Sequence, residues 1–149
     1  MLLNSKEILP SLPNSARVWI YASSRPLSAQ EKEISQNYLD KFVAQWSTHG
    51  SSMTAGACVF LDRFLIVAAD EEKMAASGCS IDSSVRTVKE IGQSISVDFF
   101  DRLNVYIDTS EGIRRISYHD LKMCSGSRYF NLLVHTLGDI RSNWPEVIP

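Results

Sequence analysis

The chain predicts an α+β fold of the ferredoxin-like βαββαβ kind, with both helices on one face of an antiparallel sheet and an extra strand and helix at the C-terminal end. Three observations carry that expectation. Strand and helix signals alternate in the required order between Arg17 and Asp108. Ser28-Ala29-Gln30-Glu31 has the capping-box pattern that starts a helix. Asp62-Arg63 forms a tight connection between two apolar runs.

Residues 1–16 hold Pro10, Pro13 and several Ser and Asn, which reads as an irregular lead-in with one short helical turn. Arg17-Val18-Trp19-Ile20-Tyr21-Ala22 is rich in β-formers and apolar on both parities, the pattern of a central strand. After Ser28, the residues Ile34, Tyr38, Phe42 and Trp46 recur at helical spacing, with Gly50 placed to end that helix. Thr54 to Leu61 and Phe64 to Asp70 read as the second and third strands. A loop through Glu71-Glu72-Lys73 leads to a second helix whose Ile81, Val85, Val88, Ile91 and Ile95 lie near one face. Gly92 inside it costs about 1 kcal/mol against Ala.

Leu103 to Asp108 alternates as a fourth strand and pairs through Asp108-Thr109-Ser110-Glu111-Gly112 with Ile113 to Ser117. His119 to Met123 reads as a helical turn, and Thr136-Leu137-Gly138-Asp139 caps a short last helix ending near Trp144 and Pro145. The right-handed crossover rule then sets the first and third strands side by side in the middle of the sheet. A single domain is expected, with a core over residues 17–108 and an extension over 109–149.

Composition narrows the function classes. The chain has 149 residues, 44% hydrophobic and 21% charged, with a formal net charge of −2. No Lys/Arg run is present, so no basic stripe neutralises phosphates and nucleic acid is not an expected partner. The longest apolar run, Phe64 to Ala69, is too short for a bilayer, and the opening residues lack the basic and apolar regions of a secretory leader. Cys58, Cys79 and Cys124 are odd in number and lack C-x-x-C spacing. A disulfide framework and a structural zinc site are therefore not expected, and a reducing cytoplasm is the natural compartment. His119 and His135 have no metal-ligand spacing, so neither metal nor cofactor is implied.

The chemically suggestive stretch is Ala76-Ser77-Gly78-Cys79-Ser80-Ile81-Asp82. A cysteine at a helix start meets the positive end of the dipole, which favours thiolate. Cys79 is accordingly a candidate nucleophile, with His49 as a candidate assistant at the end of the first helix. Against this, Asp82 disfavours a thiolate, Ser80 or Asp82 can simply cap the helix, and Cys79 can be a small buried filler. His49 can equally be a C-terminal residue favoured by the dipole. A second expectation is an anion or partner site formed by Ser77, Gly78, Cys79, Ser80 and Asp82. Arg102, in Asp101-Arg102, is a further candidate ligand residue, although a local ion pair would explain it as well.

Trp46-x-x-His49-Gly50, Ala76 to Val85, Phe100-Asp101-Arg102, Asn131 to Val134 and Trp144 together resemble a family of small uncharacterised bacterial proteins often labelled ABC transporter ATPases. The resemblance covers residues 17–144 and implies that the Ser77–Asp82 loop is a family hallmark, without supplying a reaction. The chain has no Walker A loop, Gly-x-x-x-x-Gly-Lys-Ser/Thr, and no Gly-x-Gly-x-x-Gly fingerprint, so ATP hydrolysis by this chain alone is rejected. The expected function is a small-ligand or partner-binding module, with a possible homodimer through an open sheet face or edge. The alternative is a thiol enzyme or redox sensor using Cys79.

Overall fold

The computed structural model describes residues 7–48 and 50–149. His49, the candidate assistant of Cys79, lies outside the described residues. The fold is α+β with antiparallel sheets, in the order β1 (Arg17–Ala22), α1 (Ala29–Gln45), β2 (Ser47–Thr48), β3 (Ser51–Ser52), β4 (Thr54–Phe60), β5 (Phe64–Asp70) and α2 (Gly78–Ile95). There follow β6 (Asn104–Thr109), β7 (Gly112–Ser117), a 3-10 helix (Tyr118–Cys124), β8 (Arg128–Tyr129), α3 (Leu137–Asn143) and β9 (Glu146–Val147).

The first and third long strands are neighbours, as the crossover rule requires, in a three-stranded sheet ordered β1-β5-β4. The expected fourth strand does not join it. β6 lies instead in a separate four-stranded sheet, β7-β6-β8-β9. β1 is therefore an edge strand, not a central one, and the four-stranded ferredoxin-like sheet does not form. The cause is visible in what each face of the first sheet meets. Helices α1 and α2 cover one face, where Leu39, Val88 and Ile91 pack on Tyr21, Leu65 and Val67. The second sheet, the lead-in and α3 cover the other, where Tyr106, Phe130, Leu12, Leu137 and Ile140 pack on Val18, Ile20, Phe64 and Ile66. An edge strand covered on both faces is apolar on both parities, just as a central one is.

Both faces of the first sheet are therefore covered. β5 is the centre of this arrangement, with Phe64 to Ala69 essentially inaccessible. Full burial of each such Leu, Ile or Phe side chain stabilises the fold by about 1.5–3 kcal/mol. Arg63, buried between the layers, stands 5.4 Å from the Tyr106 ring and donates to the Ser23 carbonyl at 3.2 Å.

Both expected caps are present: Ser28 with Glu31 opens α1, and Thr136 with Asp139 opens α3. Other boundaries differ. Helix α1 stops at Gln45, because Trp46 turns extended to bury its indole, and Gly50 (φ 78°) sits between β2 and β3 instead of ending the helix. Residues 7–16 are irregular yet supply Ile8, Leu12 and Ala16 to the core, held by Arg141 donating to the Ile8 and Leu9 carbonyls at 3.0 and 2.7 Å. No helix of the described residues is long and apolar enough to cross a membrane.

Candidate functional site

The start of α2 is built by its own hydroxyls. Ser77 is the N-cap, in place of the expected Ser80 or Asp82, and its Oγ accepts from the Ser80 N–H at 3.1 Å. The buried Ser80 returns its hydroxyl to the Ser77 carbonyl at 2.8 Å. Ser77 N–H donates to Thr48 Oγ1 at 3.2 Å, and the Trp46 indole donates to the Ser80 carbonyl at 2.8 Å. The Ser77 and Ser80 hydroxyls thus close the helix start on itself, while the Ser77 N–H and Ser80 C=O fasten it to Thr48 and Trp46. The Glu71 carboxylate accepts from Ala76 N–H at 2.7 Å, taking a backbone donor that an anion in this loop would use. Gly78, Cys79 and Asp82 are exposed, and a Cβ at Gly78 would meet nothing within 4 Å.

A different place emerges from the two edges of the first sheet. In an antiparallel pair, alternate residues direct both backbone groups to the partner strand and the rest direct them outward. On β1, Val18 N–H reaches the His135 carbonyl at 2.9 Å on the side away from β5, so Val18, Ile20 and Ala22 are the outward residues. Leu137 N–H likewise meets the Ala16 carbonyl at 2.9 Å, completing a single bridge between Arg17 and Thr136. Beyond it, the Ile20 N–H and C=O have no hydrogen-bond partner among the described residues. The opposite edge is met in part by a side chain. The Gln36 side-chain amide donates to the Ala57 carbonyl at 3.1 Å and accepts from Val59 N–H at 3.2 Å, as a neighbouring strand would.

The free β1 edge faces a cleft of about 190 Å³, lined by Arg17 to Tyr21 on one wall, Leu132 to His135 on the other, and Arg102. A second cleft of about 440 Å³ shares Arg102, Leu132 and Leu133 and continues past Tyr118, Leu121 and Tyr129. Leu133 at their junction is 73% exposed, and Leu103 beside Arg102 is 77% exposed. Such large exposed apolar side chains grouped at a concave surface are a mark of an interaction site.

Electrostatics sharpen this. Asp101 does not pair with Arg102. Its carboxylate accepts from Arg115 at 2.7 Å, Asn104 at 2.7 Å and Leu103 N–H at 2.8 Å, and Arg115 above all brings its pKa down to about 2. Arg102 has no ion-pair partner among the described residues. Arg17 stacks 4.7 Å from the Trp19 ring centroid and lies 3.9 Å from Glu71. No carboxylate lines the smaller cleft. Burial pushes the Tyr21 phenol up, with the Ser84 hydroxyl and Arg102 acting the other way.

Of the candidate residues, the structure groups Ser77, Gly78, Cys79, Ser80 and Asp82 at the helix start and sets Arg102 in the clefts. Cys79 lines neither cleft. As cleft residues, Trp19, Ile20, Leu133 and His135 escape sequence reasoning, since the apolar run Leu132-Leu133-Val134 does not show that Leu133 alone of the three is exposed. Among the described residues, no three His, Cys, Asp or Glu lie together as metal ligands. Compared with known proteins, the chain matches no family model, no curated protein and no solved structure.

Proposed function

We propose that this protein is a partner-binding module that takes an extended segment of another polypeptide along the free edge of β1. The observation that carries this reading is the unpaired backbone of Ile20 on the β1 edge, whose N–H and C=O face a cleft with no partner among the described residues. Buried backbone groups are nearly always paired, and an added strand would pair these. Alternate side chains of that segment would point toward the Leu132–His135 wall or toward Trp19 and Tyr21.

Membership of the small bacterial family, proposed from the Ala76–Asp82 motif, agrees with this reading. Its motif residues build the helix start behind Trp46, and its Arg102 and Asn131–Val134 residues flank the clefts. The reading concerns binding, and no reaction is assigned.

The test is a random-octapeptide display selection on the full chain, followed by amide NMR of the labelled protein with the peptides recovered. Shifts centred on Val18, Ile20 and His135 are expected. Failure to recover any peptide, or shifts confined to other surfaces, would remove the proposal. Thiol chemistry at Cys79 is the second reading, favoured by the exposure of that side chain alone.

A further inference from the structure

The β1 cleft also specifies the chemistry of its occupant, an inference that rests on the strand-addition reading above. Because Val18 N–H is already held by the His135 carbonyl, the free stretch begins at Ile20, and a segment pairing there lies in the cleft that Arg102 lines, while Arg17 stands 3.9 Å from Glu71. No Asp or Glu lines that cleft. The larger cleft does carry one carboxylate, Asp101, but it is occupied by Arg115 and Asn104. Arg102 is thus a guanidinium without a partner among the described residues, at the mouth of the larger cleft walled by Leu121, Tyr129 and Leu133.

We propose that the occupant is an acidic extended peptide, one carboxylate of which pairs with Arg102 while an adjacent large apolar side chain fills the cleft beside Tyr129. A carboxylate matches the planar fork of a guanidinium and gives a charge-assisted, bidentate contact. A second copy of this chain is a worse occupant. A second β1 edge offers Arg102 no carboxylate, since no Asp or Glu lines that cleft.

The test uses the display-selected octapeptides and the full chain carrying Arg102→Gln, a change at an exposed side chain. Selected peptides are expected to carry Asp or Glu next to a large apolar residue. Replacing that acid by Asn or Gln, or Arg102 by Gln, is expected to weaken binding roughly tenfold, and both together no further. If neutral peptides shift the Ile20 amide equally well, or Arg102→Gln leaves affinity unchanged, the acidic requirement is overturned and strand addition stands. Peptide shifts that avoid Ile20, or no recovered peptide, overturn both. A concentration-dependent dimer in sedimentation that protects Ile20 would make a second copy the occupant and also overturn the acidic peptide.

Discussion

The Trp46 indole donates to the Ser80 carbonyl at 2.8 Å and so joins the end of α1 to the first turn of α2. Trp46 also packs edge-on against Trp19, with ring centroids 5.8 Å apart, and against Phe42 at 4.9 Å. Trp46→Phe keeps most of that aromatic contact and removes the donor. A stability loss of about 1–3 kcal/mol is expected in urea denaturation, because the bond is buried. Ser77→Ala, which removes the N-cap, should cost about 1 kcal/mol. Losses within a few tenths for both would mean that this junction contributes little.

That junction also marks what was legible in the sequence. The capping boxes at Ser28 and Thr136 and the β6–β7 hairpin are local patterns, and each appears where the residues place it, whereas α2 buries Ser80 and Ser84 with Val88, Ile91 and Ile95 and leaves Ile81 and Val85 half-buried. Partnerships between distant segments are a different matter. Whether Leu103–Asp108 completes the first sheet depends on competition with the lead-in and α3 for its second face, which periodicity does not encode. Trp46 fits the helical spacing of Tyr38 and Phe42, yet a buried hydrogen bond to Ser80 draws it out of the helix. The Ser77–Asp82 motif was easy to see and easy to misread, since a hydroxyl that caps a helix has the same sequence as one that holds an anion. The β1 cleft has no local signature because it is made of backbone groups and of residues more than a hundred positions apart.

The cysteines should separate cleanly in alkylation. Burial pushes the Cys58 thiol up to about 12, so it stays protonated in the folded chain. Cys79 is exposed, and Cys58 and Cys124 are half-buried. Iodoacetamide near pH 8, read by peptide mass spectrometry, is expected to modify Cys79 first and Cys58 only after unfolding. Cys79→Ala should leave stability within about 0.5 kcal/mol, since no side-chain hydrogen bond of Cys79 is among those described. Labelling of native Cys58 at the Cys79 rate would contradict the packing of β4.

Gly92 sets two effects against each other. Helix propensity favours Ala there by about 1 kcal/mol. A Cβ at that position, however, would stand 2.5 Å from the Val97 carbonyl oxygen, where the chain folds back and Val97 N–H meets the Gly92 carbonyl at 2.9 Å. Backbone is a rigid neighbour, so overpacking wins, and Gly92→Ala is expected to lose about 1–3 kcal/mol. Thermal melts would show it, and a raised melting temperature would mean that the turn at Ser96 yields without cost.

Two exposed ion pairs set part of the acid limb of stability. Arg25, with help from the Ser28 N–H, holds the Glu31 carboxyl at about 2, and Arg115 holds Asp101 at about 2. Both lie below the ordinary carboxylate range of about 4, so near pH 3 the unfolded chain binds more protons than the folded one. The stabilisation is therefore fully present above that range and is lost as pH falls through about 2. Glu31→Gln and Asp101→Asn are expected to flatten stability against pH between about 4 and 2 and change its slope little above pH 6. High salt should shrink the difference, as exposed pairs are screened. An unchanged acid limb in both variants would rule out these pairs as contributors.

Amide hydrogen exchange along β1 provides the most direct check on the free edge. Trp19 and Tyr21 donate toward β5, and Val18 donates to the His135 carbonyl, so these amides are expected to exchange slowly. Ile20 has no acceptor among the described residues and should exchange faster than both of its neighbours, although its side chain is buried. Across the sheet, Val59 is an outward residue of the same kind, but its N–H is held by Gln36 at 3.2 Å and should be protected. Gln36→Ala would release it, raising the Val59 exchange rate while leaving Cys58, which pairs with Ile66 inside the sheet, slow. The variant should also self-associate more readily, because it exposes a second free edge. If Ile20 exchanges as slowly as Trp19 and Tyr21 in the free protein, its amide already has a partner, and the case for strand addition at β1 fails.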